Sequence, residues 1–290
     1  MEFELGDVWE DPQGKHKVGC LNATNKDHVD KLMGGEKANL AVHDPPYNHV
    51  DFTERPIKEY ITWSEKWVDN SIEALQNDSA FYVWLGADQR DGFQPLPDFM
   101  IMMRDKSIEG RSFLTMRNQR GYGTQKNWMA VRQELLYYMK GEPEFTPQYT
   151  DIPKKTSGYY KKVDGEVQEN LERSKSDTIR PGNVWYDIQQ VFYKMQENVA
   201  PCNAQKPLAA IERILEASSD EGDLVIDFFS HSGTTLLQSE ISNRKCYTMD
   251  NDPEFCELTV KRLLHYRETG LEGWQNQDPY EASGFQKKLL

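Results

Sequence analysis

The chain has 290 residues, is 38% hydrophobic and 11% aromatic, and carries a formal net charge of −13. Such a length can bury a full core as one large domain or one domain with an insertion. The acidic balance argues against a surface broadly attractive to nucleic acid, and no apolar run approaches a membrane span.

The opening Met1-Glu2-Phe3-Glu4 has neither a basic n-region nor an apolar h-region, so a soluble, unsecreted, cytoplasmic protein is expected. Cys20, Cys202, Cys246 and Cys256 show no CxxC spacing, and the six histidines form no HxxxH pair. Reduced thiols and no metal are the expectation.

In chain order, the residues to about Asp51 read as strand, helix, strand, with a short helix from Asp27 to Met33 closed by Gly34-Gly35. A helix follows from Tyr60 to Leu75, then a strand from Ser79 to Leu85 by its β-rich composition. Ser112 to Met116 and Glu134 to Met139 are further strands. The segment from about Gly141 to Ala200 is polar and lacks apolar periodicity, which predicts an insertion or partly mobile segment. From Gln205 the pattern is helix to Ser218, strand Leu224 to Asp227, glycine turn, helix, strand Cys246 to Asp250, and helix from Pro253 to about Arg267. That alternation predicts a βαβα unit on a parallel sheet. The tail after Gly270 reads as loosely ordered.

Two places carry chemistry. The apolar run Asn39-Leu40-Ala41-Val42 runs into Asp44-Pro45-Pro46-Tyr47-Asn48. Two prolines offer no N–H to a ladder, so the chain must leave the sheet there in a stiff turn. A carboxylate, a proline carbonyl and an aromatic ring are fixed together, as needed to hold a flat molecule bearing an amino group. An ordinary Asp/Pro turn fits the same letters. Far downstream, Asp227-Phe228-Phe229-Ser230-His231-Ser232-Gly233-Thr234-Thr235 links a buried strand to a helix, where sheets of this kind bind ligands. Gly233 allows close approach of the backbone, and Thr234 or Thr235 sits near the helix N-terminus. One strand later Asp250 stands where an acidic side chain can accept bonds from a ribose.

From Arg104 to Lys140 eight basic residues stand against three acidic ones. A confined phosphate-contacting groove and a solvated face both fit that excess. Within it, Arg117-Asn118-Gln119-Arg120-Gly121-Tyr122-Gly123 reads as a polar loop. Arg suits phosphate or guanine there, and Asn or Gln suits adenine edges. Lys154, Lys155, Lys161 and Lys162, interleaved with Tyr159 and Tyr160, are a second DNA candidate.

On these residues the chain resembles the DNA amino-methyltransferases, the N-4/N-6 DNA methylase family that uses S-adenosyl-L-methionine. Its motif order is similar to the β group, in which the catalytic half precedes the cofactor half. Asp44 to Asn48 matches the catalytic motif, Gln205-Lys206-Pro207 the segment before the cofactor loop, and Asp227 to Thr235 the loop itself; matches run from about Cys20 to Arg267.

The resemblance implies an α/β fold, a Rossmann-like sheet mostly parallel with an antiparallel edge hairpin. It implies a single methyltransferase domain over 1–290, with 141–200 as an inserted target-recognition or mobile segment. The expected catalytic residues are Asp44, Pro45, Pro46 and Tyr47. Around S-adenosyl-L-methionine it implies Asn22, Asp44, Lys206, Asp227, Phe229, His231, Ser232, Gly233, Thr234, Thr235 and Asp250. Toward DNA it leaves Arg117, Asn118, Gln119 and Arg120, and a homodimer is the expected assembly. The implied reaction is methylation of the adenine N6 amino group. Asp44 and the Pro45 carbonyl would accept its N–H bonds, and Tyr47 would stack on a base flipped from the duplex. Family members acting on cytosine N4 more often begin the motif with serine.

Three departures from the family pattern fall on the cofactor side. Phe228 replaces a proline and His231 a glycine; Asn22 stands for an aspartate; Cys202-Asn203-Ala204 replaces His-Pro-Thr. They leave room for a DNA-binding partner subunit with weakened cofactor affinity; within the enzyme class, the other reading is an N4-cytosine enzyme.

Overall fold

The structure is a computed structural model. It describes residues 2–46, 56–86, 95–122, 128–150, 152–153, 160–169, 176–192, 195–199, 202 and 204–274.

Eleven strands and six helices are described. The strands are β1 (Val8–Glu10), β2 (His16–Cys20), β3 (Ala38–His43), β4 (Leu75–Leu85), β5 (Glu109–Tyr122), β6 (Ala130–Lys140), β7 (Tyr160–Val163), β8 (Glu166–Glu169), β9 (Val184–Trp185), β10 (Leu224–Asp227) and β11 (Lys245–Asp250). The helices are α1 (Lys26–Met33), α2 (Ile57–Ala74), α3 (Pro95–Met103), α4 (Leu208–Ser218), α5 (Thr234–Ile241) and α6 (Pro253–Thr269). Nine strands form one sheet in the order β1-β2-β11-β10-β3-β4-β6-β5-β9, and β7 pairs with β8 apart from it. The five strands from β2 to β4 run parallel. β6 lies antiparallel to both β4 and β5. This is the mostly parallel sheet with an antiparallel hairpin that the family resemblance implies.

Alternation along the strands sorts the core into two layers, because successive side chains point to opposite faces. Ala41, Phe81 and Val83 face α1, α2 and α3, packing on Val29, Leu32, Trp67 and Phe99. Leu40, Val42, Tyr82 and Trp84 face the other way onto Ile211, Ile214 and Leu215 of α4. On that second side α5 and α6 cover β2 and β11 through Leu236, Val260 and Leu263. Helix ends follow local chemistry: Asn25 caps α1 by accepting from the Asp27 N–H, and Asp252 caps α6 ahead of Pro253.

One expectation changes, and two segments gain structural detail. Arg117 to Tyr122 is not a loop; it prolongs β5, because Arg117 pairs with Arg132 and, past an irregularity, Tyr122 with Ala130. Within the 141–200 segment, part of the chain packs onto the main core. Val184-Trp185 joins the sheet parallel to β5, and Trp185 and Ile188 pack with Trp84 and Leu135. A two-residue strand leaves no periodic trace in sequence, which is why the polar flanks hid it. Of the tail, the described residues end at Trp274, whose N–H donates to the Asn198 carbonyl at 2.9 Å and whose ring is buried.

The register also sets direction. Leu85 at the end of β4 pairs with Glu134, so the residues of β6 before Glu134 extend past the carboxyl ends of the parallel strands.

Candidate active site

β3 and β10 are neighbours, with Leu40 opposite Val225 and Ala41 opposite Ile226. From β3 the chain turns through α2 to β4 on one side; from β10 it turns through α5 to β11 on the other. The gap between their carboxyl ends is therefore a topological switch point, where open α/β sheets bind ligands. Asp44 leaves β3 at this point and Asp227 ends β10.

Asp44 accepts a hydrogen bond from Lys206 Nζ at 2.6 Å on Oδ2. That ammonium also lies over the Trp84 ring, 5.4 Å from its centre. Lys206 is aimed by the turn before α4. The Gln205 carboxamide accepts from the Val199 N–H and donates to the Glu197 carbonyl, while the Leu208 N–H donates to the Glu197 carboxylate. Pro45 is buried, and the Pro46 carbonyl accepts from the Tyr60 hydroxyl at 3.1 Å, pinning the turn to α2. Tyr47 lies outside the described residues.

The loop after β10 is held at every turn. Asp227 Oδ1 accepts the Phe229 N–H at 3.0 Å, and the Phe228 N–H donates to His43 Nδ1 at 3.1 Å. The Ser230 N–H meets the Met249 carbonyl, and the His231 N–H meets Asp250 Oδ2 at 3.0 Å. His231 and Gly233 both take left-handed backbone, at φ 44 and 70. Space is tight at Gly233 as well, since a Cβ there would lie 3.1 Å from Thr259. Beneath the loop the Arg262 guanidinium, wholly buried, donates to the Ser232 carbonyl, Thr234 Oγ1, and the carbonyls of Glu197 and Glu272. Burial lowers its pKa to about 10.

Burial dominates the other ionisable groups. It pushes the Asp250 carboxyl up to about 7, against the backbone N–H bonds from Asp252 and His231 that pull it down. Burial takes the His231 imidazole down to about 4, with the nearby Asp44 charge opposing. The His231 ring turns onto the Cys202 thiol, 3.1 Å from Nε2, and packs on Phe255 at 4.7 Å. Asp227 is raised and His43 lowered, each chiefly by burial.

One open pocket gathers Asp44, Lys206, Asp227, Phe229, His231, Ser232, Thr234 and Thr235, with Trp84 and Ile211 as apolar wall. Eight of the expected site residues thus meet in one space. Asn22 and Asp250 stand on adjacent strand ends beside it, since Cys20 pairs with Asp250 and the Leu21 N–H donates to the Asp250 carbonyl. Asn22 Oδ1 accepts from the Thr24 N–H and hydroxyl. These groups suit S-adenosyl-L-methionine. A carboxylate stands ready for ribose hydroxyls, an aromatic face and small loop residues allow close approach, and an ammonium can meet a carboxylate.

Toward DNA the picture is mixed. Arg117 is exposed, but Asn118 is buried on the Met116 face of β5, its Oδ1 accepting from Gln133 Nε2 at 2.8 Å. Asn118 is therefore withdrawn from the solvent face where it was expected. The side chains of Gln119 and Arg120 lie outside the described residues, as do Lys154, Lys155 and Tyr159; Lys161 and Lys162 are exposed on β7. Among the described residues no cluster of His, Cys, Asp and Glu could hold a metal ion, and no helix is long and apolar enough to cross a membrane.

Sequence reasoning missed His43, Trp84 and Arg262. A lone buried histidine, a core tryptophan and an arginine in the last helix carry no local signal; only the fold brings them to the loop.

Residues 38–261 match the family model of the N6/N4 methyltransferases, described as DNA methylase. The chain belongs to this family of DNA amino-methyltransferases. It is 27% identical over 240 residues to the type II methyltransferase M.HpaI of Haemophilus parainfluenzae, covering 80% of this chain and 70% of that protein. To the DNA adenine methyltransferase YhdJ of Escherichia coli K12 it is 24% identical over 238 residues, 80% of this chain and 78% of the relative. In fold it is similar to the cytosine-N4-specific PvuII DNA methyltransferase, with a TM-score of 0.65 at 14% identity over 95% of this chain and 92% of that one. The M1.HpyAVI–SAM complex gives a TM-score of 0.56 at 14% identity over 86% of this chain and 100% of the other. The sheet is thus that of the S-adenosylmethionine-dependent DNA methyltransferases.

Proposed function

We propose that the protein transfers a methyl group from S-adenosyl-L-methionine to the exocyclic N6 amino group of adenine in DNA. The observation that carries this is the meeting of Asp44 and the Asp227–Thr235 loop in one cavity at the switch point. When bound, S-adenosyl-L-methionine supplies an electrophilic methyl group. The protein's part is to hold the amino group and the cofactor in register, since positioning and preorganised charge give most of the acceleration in such transfers.

Asp44 accepts an N–H of the target amino group, drawing its lone pair out of conjugation with the ring. Lys206 holds that carboxylate in place through Oδ2. The Pro45 carbonyl takes the second N–H, and Tyr47 stacks on the extruded base. Asp250 receives the ribose hydroxyls, and the loop from Phe229 to Thr235 cradles the remainder. DNA approaches over the end of the β5–β6 hairpin, which reaches past the strand ends on the Asp44 side and carries exposed Arg117, Arg132 and Trp128. Residues 141–200 are proposed to aid target recognition.

The adenine reading rests on Asp44 at the head of the motif and on the named activity of YhdJ. The same fold serves an N4-cytosine enzyme, which makes that base the second reading. The test is incubation of the purified protein with DNA and labelled S-adenosyl-L-methionine, followed by nucleoside analysis. N6-methyladenine supports the proposal; N4-methylcytosine replaces it with the second reading. No detectable binding of S-adenosyl-L-methionine by the purified protein, and no transfer to any DNA, would favour a partner subunit.

A further inference from the structure

The ladder between β3 and β10 stops at Ala41 opposite Ile226, two residues short of His43. There the strands part to open the crevice, and a side chain takes over from the backbone. The Phe228 N–H, in a buried setting, donates to His43 Nδ1 at 3.1 Å. On the far side of the ring, His43 Nε2 lies 2.6 Å from Ser71 Oγ of α2. Because Nδ1 accepts, the ring proton belongs on Nε2 and is donated to Ser71. The imidazole is wholly buried among Trp67, Phe81, Phe228 and Phe229, and Asp227 Oδ1 stands 3.9 Å from Nδ1.

We propose that His43 is a positioning residue for methyl transfer, a neutral clamp that ties the cofactor loop to the strand carrying Asp44 across the point where the sheet opens. The proposal rests on the functional reading above for its catalytic consequence, but not for its geometry. His43 precedes Asp44 directly, and Phe228 follows Asp227 directly. One ring therefore sets the spacing between the two strand ends that must present amino group and cofactor to one another. It also answers a local need: Phe228, unlike proline, brings an N–H that must find an acceptor away from water.

The test has two arms. In the first, ¹⁵N-histidine NMR of the whole protein reads the His43 tautomer, assigned by the signal lost in His43→Asn. The expected state at neutral pH has a bare Nδ1 and a protonated Nε2; a proton on Nδ1 would overturn the clamp. In the second, calorimetry with S-adenosyl-L-methionine follows His43→Leu, His43→Asn and Phe228→Pro, with thermal unfolding in parallel. His43→Leu is expected to weaken binding by about tenfold, the size of one hydrogen bond. His43→Asn, whose carbonyl can take the place of Nδ1, should restore most of it. In the Phe228→Pro background, where no N–H remains, His43→Leu should cost little further. An equal loss in both backgrounds, or none in either, overturns the proposal. If the unsubstituted protein binds no cofactor, the functional reading falls, and the NMR arm alone decides the clamp. Should His43→Leu fail to fold, the NMR arm and His43→Asn still decide.

Discussion

Lys206 Nζ lies 2.6 Å from Asp44 Oδ2 and faces the Trp84 ring at 5.4 Å. The ion pair spans 162 positions of sequence and joins the two halves of the motif order in a single contact. Lys206→Met keeps the length of the side chain and removes the charge. Turnover is expected to fall by about 100-fold, the scale on which small misplacement of a reacting group is felt. Single-turnover kinetics checks it, and a rate within a factor of two of the parent would dissociate Lys206 from the chemistry. Asp44→Ala should abolish transfer and leave cofactor binding largely intact by calorimetry.

Asp250 gives a pH dependence with a definite sign. Burial raises its carboxyl to about 7, so the anion that can accept ribose hydroxyls is lost as pH falls through that value. Affinity for S-adenosyl-L-methionine should therefore rise from pH 6 to 8 and then level, while Asp250→Asn binds weakly and without that slope. A flat profile in the parent protein would refute the assignment. For stability the sign is opposite: a raised carboxyl favours the folded state at low pH, and that contribution is lost as pH rises through about 7.

His231 acts in the other direction. Its ring, taken down to about 4 by burial, supports the fold above pH 6.5, and that support is lost as pH falls through about 4. His231→Gly removes this dependence and also frees a left-handed φ of 44 that glycine adopts without strain. Denaturant titrations of both proteins should show the parent losing ground to the variant between pH 6.5 and 4. Parallel curves over that range would show that the imidazole does not titrate with folding.

Arg262 is the loop's buried foundation. Arg262→Met takes the guanidinium donor from the carbonyls of Ser232 and Glu272 and leaves the Glu197 carbonyl only the Gln205 carboxamide, and a loss of about 3 kcal/mol is expected from these buried groups. Chemical denaturation measures it. A change under about 0.5 kcal/mol, the level of an ordinary surface substitution, would mean that the network relaxes to other partners.

On the β5–β6 hairpin Arg117 is exposed, and Trp128, just before β6, is 93% exposed. Arg117→Ala should weaken binding to duplexes of any sequence and lower the salt slope by about one, as for a phosphate contact. Trp128→Ala should weaken binding with the slope unchanged. Fluorescence anisotropy across a salt series separates the two, and an unaltered affinity in both would move the DNA face elsewhere.

The parts of the site that could be read from sequence are those written in consecutive letters. Asp44-Pro45-Pro46 and the Asp227 to Thr235 loop declare themselves because prolines and glycine impose the backbone there. The βαβ unit around β10 and β11 declares itself by its buried strands. What stayed hidden depends on pairing at a distance. Val184-Trp185 becomes a strand only because β5 offers an edge, and Arg117 to Tyr122 extends only because β6 runs beside it. Asn118 turned inward for the same reason: strand alternation, once present, decides which amide meets solvent.

Trp274 and Glu272 anchor on Asn198 and Arg262, the latter being the residue that supports the loop at Ser232 and Thr234. Gly273 is wedged against the same strip of chain, where an added methyl carbon would come within 2.7 Å of Glu197. A truncation at Gly270 would strip a buried cation of one partner and uncover the Glu197–Val199 strip that supports Gln205. Shortened variants cut before Glu272 should thus lose S-adenosyl-L-methionine binding, although the cut removes no residue of the cavity.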